Sequence, residues 1–411
     1  MEFKYPLILD GATGTQLQLR GYDGSCAPEV WMIEHPEAVL EFQGRYAEAG
    51  SNIVYAPTFT ANPSILAGHG LDDRTEELNK KLVALSKEAT GGKCYTAGDL
   101  SPSGKFLKPL GDVSFEDLVE MYLRQAKALD EAGVDLFAIE TMNSLPDARA
   151  AVLAVRSFSD KPIIASFTCE KKGRTMMGTD VTAALKIMEG MGVDIFGLNC
   201  STGPEDMLPH IKRLSEIAEI PLLAKPNAGL PEIEDGKTVY KCSPEDFVKN
   251  VEEMASLGVL CFGGCCGSTE EHVAALAKKV AELEEGGVVF AGPSGSTGGK
   301  LPCVSGRKVF LLDPDVTIDD VIICDEDLEE SIDDANEEDA EIMCIEFKSP
   351  EDVEVFALCE YMINKALCIK CDDAEVLEAA LRAYQGRALY EGALSEDELM
   401  PLVKKYGLIV R

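Results

Sequence analysis

The chain has 411 residues, 46% of them hydrophobic, and a formal net charge of −34. That length suits one large domain plus a smaller one, and the charge opposes binding to a phosphate backbone, which excludes nucleic acid as an expected partner. No apolar run reaches the roughly 18 residues of a membrane span, so no membrane association is expected either.

The opening residues, Met1 to Pro6, lead directly into an apolar run with no leader-like apolar stretch and cleavage site. The expectation is a cytoplasmic chain whose 14 cysteines are reduced. Several of them (Cys169, Cys261, Cys344, Cys368) sit inside apolar runs and read as core thiols.

Residues 1–285 alternate eight apolar runs with amphipathic stretches. The runs fall at 7–9, 52–56, 94–97, 136–139, 163–167, 195–198, 222–224 and 259–262. Helices are predicted between them, for example over 114–132, 180–191 and 244–257. Ser114 and Ser243-Pro244 mark helix starts. Gly133, Gly192 and Gly258 stand where a helix gives way to the next strand. Repeated β-α units of this length predict an α/β fold, a (β/α)8 TIM barrel, with a doubly wound open sheet as the alternative.

Residues 286–302 are rich in Gly, Ser and Pro and read as a linker. Beyond it, 303–411 form a small, incomplete α/β domain. Strands are predicted at 308–312, 321–324, 341–347, 366–369, 387–390 and 408–410, and helices at 350–363, 374–384 and 395–406. Residues 301–411 carry 28 acidic and 10 basic side chains. Such a surface is solvated, or it attracts a basic partner.

A barrel gathers its chemistry where the strands end. The predicted strands end on Asp10-Gly11, Pro57-Thr58-Phe59, Gly98-Asp99, Glu140-Thr141, Thr168, Asn199-Cys200, Lys225-Pro226-Asn227 and Gly263-Gly264-Cys265-Cys266-Gly267. Cys200, Cys265 and Cys266 therefore reach one mouth. Three thiolates suit Zn(II) with a position left open. Neighbouring strand residues face opposite ways, so Cys265 and Cys266 can act together only on an irregular turn, which the flanking glycines permit. Core thiols or a vicinal disulfide are the competing readings.

An open zinc position suits a substrate thiol, which deprotonates on the cation. Only four histidines occur, and His35, His210 and His272 fall in or beside predicted helices, so hydrolytic zinc chemistry is not expected. The turn from Asp10 to Thr15 offers backbone N–H groups for a carboxylate. Glu140 offers a carboxylate for a substrate ammonium, or else pairs with an internal cation such as Lys225. Together these groups match the two ends of an α-amino acid.

These motifs resemble the homocysteine S-methyltransferase family. The matching stretches are Asp10 to Thr15, Glu140-Thr141-Met142, Gly197 to Cys200 and Gly263 to Gly267. Residues 204–207 and 225–231 look most like the homocysteine module of cobalamin-dependent methionine synthase. The resemblance covers about residues 5–285. It implies a TIM barrel with Cys200, Cys265 and Cys266 on zinc and homocysteine sulfur in the fourth position. The substrate ammonium would meet Glu140, and its carboxylate the backbone of Ala12, Thr13, Gly14 and Thr15. Asp10, Thr58 and Asn199 would support the pocket. The implied reaction methylates homocysteine, held as its zinc thiolate, to methionine.

The methyl donor implied is a methylcobalamin carried by a separate corrinoid protein or module, since no Asp-x-His-x-x-Gly corrinoid signature occurs in the chain. The alternatives are a betaine or sulfonium donor, or a non-catalytic subunit that docks a corrinoid protein. Residues 366–371, 374–381 and 387–389 resemble the interior of a pterin-binding barrel. Lys370-Cys371 and Tyr390-Glu391 replace its polar strand ends, which points to a remnant or a docking platform.

Overall fold

The computed structural model describes residues 3–108, 110–234, 237–318 and 320–411. Met1 and Glu2, read above as the lead into the first strand, lie outside them. Eight strands form one parallel sheet: β1 (Leu7–Ile8), β2 (Ile53–Tyr55), β3 (Tyr95–Leu100), β4 (Leu136–Met142), β5 (Ile163–Phe167), β6 (Ile195–Asn199), β7 (Leu222–Lys225) and β8 (Val259–Phe262). They pair in chain order from β2 to β8, and β8 returns to β1. A parallel bridge between Leu9 and Ile53 joins β1 to β2, so the sheet closes on itself as a (β/α)8 barrel rather than an open doubly wound sheet.

The interior follows from the two-residue period of a strand. Leu7, Leu9, Ile53, Tyr55, Ala97, Leu136, Ala138, Ile164, Ile195, Leu223 and Cys261 form a single buried cluster. Counting on by two places Asp99, Glu140, Ser166, Asn199 and Lys225 on the same inner face, one layer nearer the strand ends. The apolar layers below hold the barrel together, and this polar layer is the floor of its mouth.

Helix α1 (Phe115–Glu131) starts on a reciprocal Ser114–Asp117 capping box, which satisfies the first-turn amide of Asp117. Ser243 caps the next serine-marked helix by accepting the Asp246 amide. Gly133, Gly192 and Gly258 all adopt positive φ between helix and strand, as their positions predict. The helix expected over 244–257 is instead two, Pro244–Phe247 and Val251–Ser256. Val248 and Asn250 between them both sit at φ −94°, ψ 0°, outside the α-helical well, and neither residue type favours a helix interior. A short antiparallel hairpin, Glu232–Glu234 with Lys237–Val239, follows β7 and is not foreseen by the sequence pattern.

The chain divides into two compact units, 1–173 with 194–294, and 174–193 with 295–411. The first contains every barrel strand. The second holds a hairpin, β9 (Leu301–Val304) with β10 (Val309–Leu312), and a parallel sheet in the order β11 (Val321–Ile323), β12 (Ile342–Glu346), β13 (Ala366–Lys370), β14 (Leu389–Glu391). Its core packs Cys303, Leu312, Cys344, Ala366, Cys368, Leu389 and Ile409 together. The run at 408–410 contributes a single bridge, Leu389 to Ile409. A helix at Leu328–Glu337, which carries five acidic residues, also falls in this unit. The helix Val181–Gly190 groups with it too, through bonds such as Asp180 N to Arg307 O at 3.0 Å. Among the described residues no helix is long and apolar enough to cross a membrane.

Candidate active site

Three cysteine sulfurs meet at the barrel mouth. The Sγ atoms of Cys200, Cys265 and Cys266 all lie within 4.8 Å of one another, with Cys200 to Cys266 at 3.8 Å. All three are free thiols, so no vicinal disulfide joins Cys265 to Cys266. They are partly exposed, whereas Cys169, Cys261, Cys344 and Cys368 are buried as expected of core residues.

Backbone geometry creates this convergence. Cys200 and Ser201 leave β6 in the left-handed region, at φ +61° and +59°, where non-glycine residues are uncommon. The Cys200 amide then bonds to Lys225 O at 3.2 Å, and that of Cys265 to Pro226 O at 2.8 Å. Both cysteine loops are thus stitched to the end of β7. Ser268 accepts the Ala12 amide at 3.1 Å and donates to Cys265 O at 2.7 Å, tying the turn after β1 to the turn after β8. At Gly267 (φ +79°) any Cβ would overlap the Tyr240 ring, so Tyr240 can close over the turn only because this residue is glycine.

The cluster is set for deprotonation. Bonds from Cys200, then Cys265, with a further one from Tyr240, hold the Cys266 thiol down at about 3. The same thiol contacts push Cys200 up. Of the three, Cys266 is therefore the thiol held most strongly toward its charged form. Asn199 fixes the surroundings. Its Oδ1 accepts from Thr141 N at 3.0 Å and Ser166 Oγ at 2.9 Å, and its Nδ2 reaches Cys265 Sγ at 3.8 Å. Thr141 itself adopts φ +59°.

Below the sulfurs lies a charged layer. Lys225 Nζ is 2.8 Å from Glu140 and 3.4 Å from Asp10 Oδ1, and stacks 4.3 Å over the Tyr55 ring. Burial alone would lower the Lys225 ammonium, but Glu140 and Asp10 outweigh it and keep it charged. Burial pushes Asp10 up to about 6 despite the neighbouring Lys225 and the Tyr55 amide, which donates to its Oδ2 at 2.7 Å. Glu140 is raised for the same first cause.

Thr58 Oγ1 donates to Asp99 O and accepts from Asp99 N, so it clamps β3 rather than facing the sulfurs. Ala12 is the N-cap of the helix Thr13–Leu19, and Thr15 Oγ1 accepts the Gly267 amide at 3.0 Å. The amino-acid-binding turn expected over 10–15 therefore abuts the cysteine turn, with the Ala12 amide already engaged. Asn227 Oδ1, in the turn after β7, is buried and has no hydrogen-bond partner among the described residues. Three soft sulfurs within 4.8 Å of one another fit a thiophilic divalent cation.

Tyr240 and the Lys225–Asp10 pair are absent from the site expected from sequence. Asp99 appears there only as a strand end, although its position two residues after Ala97 places it on the inner face.

A closed (β/α)8 barrel with three free thiols gathered at the mouth where its strands end defines the class of protein. The chain matches the pattern of the family described as Homocysteine S-methyltransferase over residues 7–280, and it belongs to that family. It is 31% identical over 302 residues to methionine synthase of Mycobacterium leprae, and 32% identical over 298 residues to that of Mycobacterium tuberculosis. These alignments cover 69% and 68% of this chain but 25% of each relative, so the chain spans about a quarter of their length. The homocysteine methyltransferase MmuM of Escherichia coli, in its metallated form, shares the fold with a TM-score of 0.57 at 24% identity, over 66% of this chain and 96% of that one.

Proposed function

We propose that this protein is a zinc-dependent S-methyltransferase that methylates homocysteine to methionine. The single observation that carries the proposal is the convergence of Cys200, Cys265 and Cys266 within 4.8 Å at the barrel mouth, in a chain that belongs to the homocysteine S-methyltransferase family. Zinc, when bound by these three residues, supplies a Lewis acid that lowers the pKa of a substrate thiol at its open position. The chain's own groups do the rest. Asn199 and the stitched turns hold the sulfurs in place, and Glu140 receives the substrate ammonium at its less buried edge. The amides of the Thr13–Thr15 turn receive the carboxylate, which orients the substrate sulfur toward the methyl carbon.

The donor we propose is a methyl-corrinoid on a separate protein or module. The similarity to methionine synthases, over only a quarter of their length, supports this. Turnover with methylcobalamin but not with a betaine or methylsulfonium compound is the expected result. We further propose that residues 303–411 act as a docking platform, joined through 286–302 to a barrel of 1–285. Limited proteolysis is expected to cut first at 291–297, where no regular structure forms.

The central test is zinc content and zinc-edge X-ray absorption, with and without homocysteine. One zinc with three sulfurs, rising to four on adding homocysteine, is expected. A sulfur shell indifferent to homocysteine would overturn the proposal.

A further inference from the structure

Two oxygens on the inner face of the barrel, Asp99 Oδ1 and the Tyr55 hydroxyl, are buried and have no hydrogen-bond partner among the described residues. Buried polar atoms are normally paired, and exceptions point to a missing ligand or water. Tyr55 lies in register with Ala97 on the neighbouring strand, and Asp99 is one inward step beyond Ala97. Asp99 in turn pairs with Ala138, one inward step before Glu140. The two orphan oxygens therefore belong to the same polar layer as Glu140 and Lys225.

Charge makes the case specific. Asp10, Asp99 and Glu140 share this layer with one ammonium, that of Lys225. Lys225 reaches Glu140 and Asp10 but forms no ion pair with Asp99. The Asp99 carboxyl is held well above the usual carboxylate range, by burial first and by the Glu140 charge second. Three carboxyl groups thus share one ammonium, and the layer is short of positive charge and of N–H donors. Thr58 grips the Asp99 backbone on both its N–H and C=O, so the side chain is positioned by a fixed strand. At 4% exposure against 8% for Glu140, it is buried to a similar degree.

We propose that Asp99 is a specificity-determining residue, a second carboxylate that with Glu140 receives the α-ammonium of an amino-acid thiol and selects substrates that carry one. Its unpaired oxygen accepts one N–H of the ammonium while Glu140 accepts another. The assignment rests on the homocysteine reading above. It goes beyond it by placing discrimination against amine-free thiols in a residue on β3.

The test is calorimetric binding of homocysteine and of 4-mercaptobutanoate, which is homocysteine without its amino group, to the zinc-loaded full chain. Asp99→Asn and Asp99→Ser are both used, with zinc content and circular dichroism checking each variant. The expected result is a loss of about tenfold or more in homocysteine affinity, as for one charge-assisted hydrogen bond, and a change of less than about twofold for 4-mercaptobutanoate. Unchanged homocysteine affinity would show that water fills the orphan oxygens and would overturn the proposal. So would equal weakening of both ligands, the mark of a structural role. A wild-type protein that does not prefer homocysteine to 4-mercaptobutanoate would overturn the substrate reading itself, an outcome distinct from any result confined to the variants.

Discussion

The Glu140 carboxylate lies 2.8 Å from Lys225 Nζ, both side chains being almost wholly buried. Glu140 is thus at once the internal ion-pair partner and the proposed substrate-ammonium ligand, and Lys225 sets how much of its charge is left to a ligand. Lys225→Met would leave Asp10, Asp99 and Glu140 buried without a cation. Removing one partner of a buried ion pair costs roughly 3–5 kcal/mol. Urea denaturation at pH 7 is expected to show a loss of that order. The loss should shrink toward pH 5 as the stranded carboxyls take up protons.

Cys266 is held as a thiolate at about 3 by its bonds from Cys200 and Cys265, while burial pushes core thiols such as Cys303 up to about 12. In metal-free protein at pH 6, iodoacetamide should therefore label Cys266 ahead of every core cysteine, as read by peptide mass spectrometry. Loading zinc should abolish that labelling. Equal labelling across the 14 cysteines would contradict the hydrogen-bonded cluster.

Much of this was legible in the sequence, for physical reasons that differ by residue. The barrel strands are short apolar runs preceded by residues such as Gly133 and Gly192, whose φ of +79° and +76° only glycine adopts readily. Cys200 and the Cys265-Cys266 pair stand out because glycines flank the pair and both loops end strands. The pairing of Glu140 with Lys225 is one of the readings the sequence offers, whereas the approach of Asp10 to the same ammonium is not legible. That depends on ring closure through Leu9 and Ile53, a contact between residues 44 positions apart. Tyr240 escapes because its role depends on the space left by Gly267, and the hairpin before it is a charged segment without strand-like alternation. The helix Val181–Gly190 carries an ordinary amphipathic pattern that says nothing of its association with residues 295–411.

Gly267→Ala tests the closure of Tyr240 over the cysteine turn. The added methyl overlaps the Tyr240 ring, and φ +79° is itself strained for alanine. The variant is expected to lose roughly 2–3 kcal/mol, from overpacking plus left-handed strain, and to hold zinc more weakly in a chelator competition. Adding Tyr240→Ala should recover the overpacking part and leave about 1 kcal/mol of backbone strain. Strict additivity of the two substitutions would show that the ring and the turn do not interact.

Asn199 offers a sharper probe of preorganisation, because its amide joins β4, β5 and β6 at the level of the cysteine sulfurs. Asn199→Ala would strip the partner from the Thr141 amide, in a residue already at φ +59°. A cost of about 1 kcal/mol follows for the partly buried donor left unpaired. Zinc content should fall with it, whereas Asn199→Asp, which keeps the acceptor oxygen, should retain more of both. Zinc analysis beside thermal melts separates the two effects.

Asp10 gives the pH dependence its sign. Its folded carboxyl titrates near 6, raised from 3.8 by burial. Between those two values the folded chain keeps a proton that the unfolded chain has lost, so stability must fall as pH rises through the interval and stay lowered above it. Asp10→Asn removes that slope and still offers an acceptor to the Tyr55 amide. Metal-free Asp10→Asn is therefore expected to be more stable than wild type at pH 7, by about 1–3 kcal/mol, and equal to it near pH 4. Homocysteine affinity should drop in the same variant, because the charge that strains the fold is the charge that balances the layer around Lys225. Urea titrations of both proteins at half-unit steps from pH 4 to 7.5 would check the slope. A variant that is less stable at every pH would mean that the Asp10–Lys225 attraction at 3.4 Å outweighs the burial of the carboxylate.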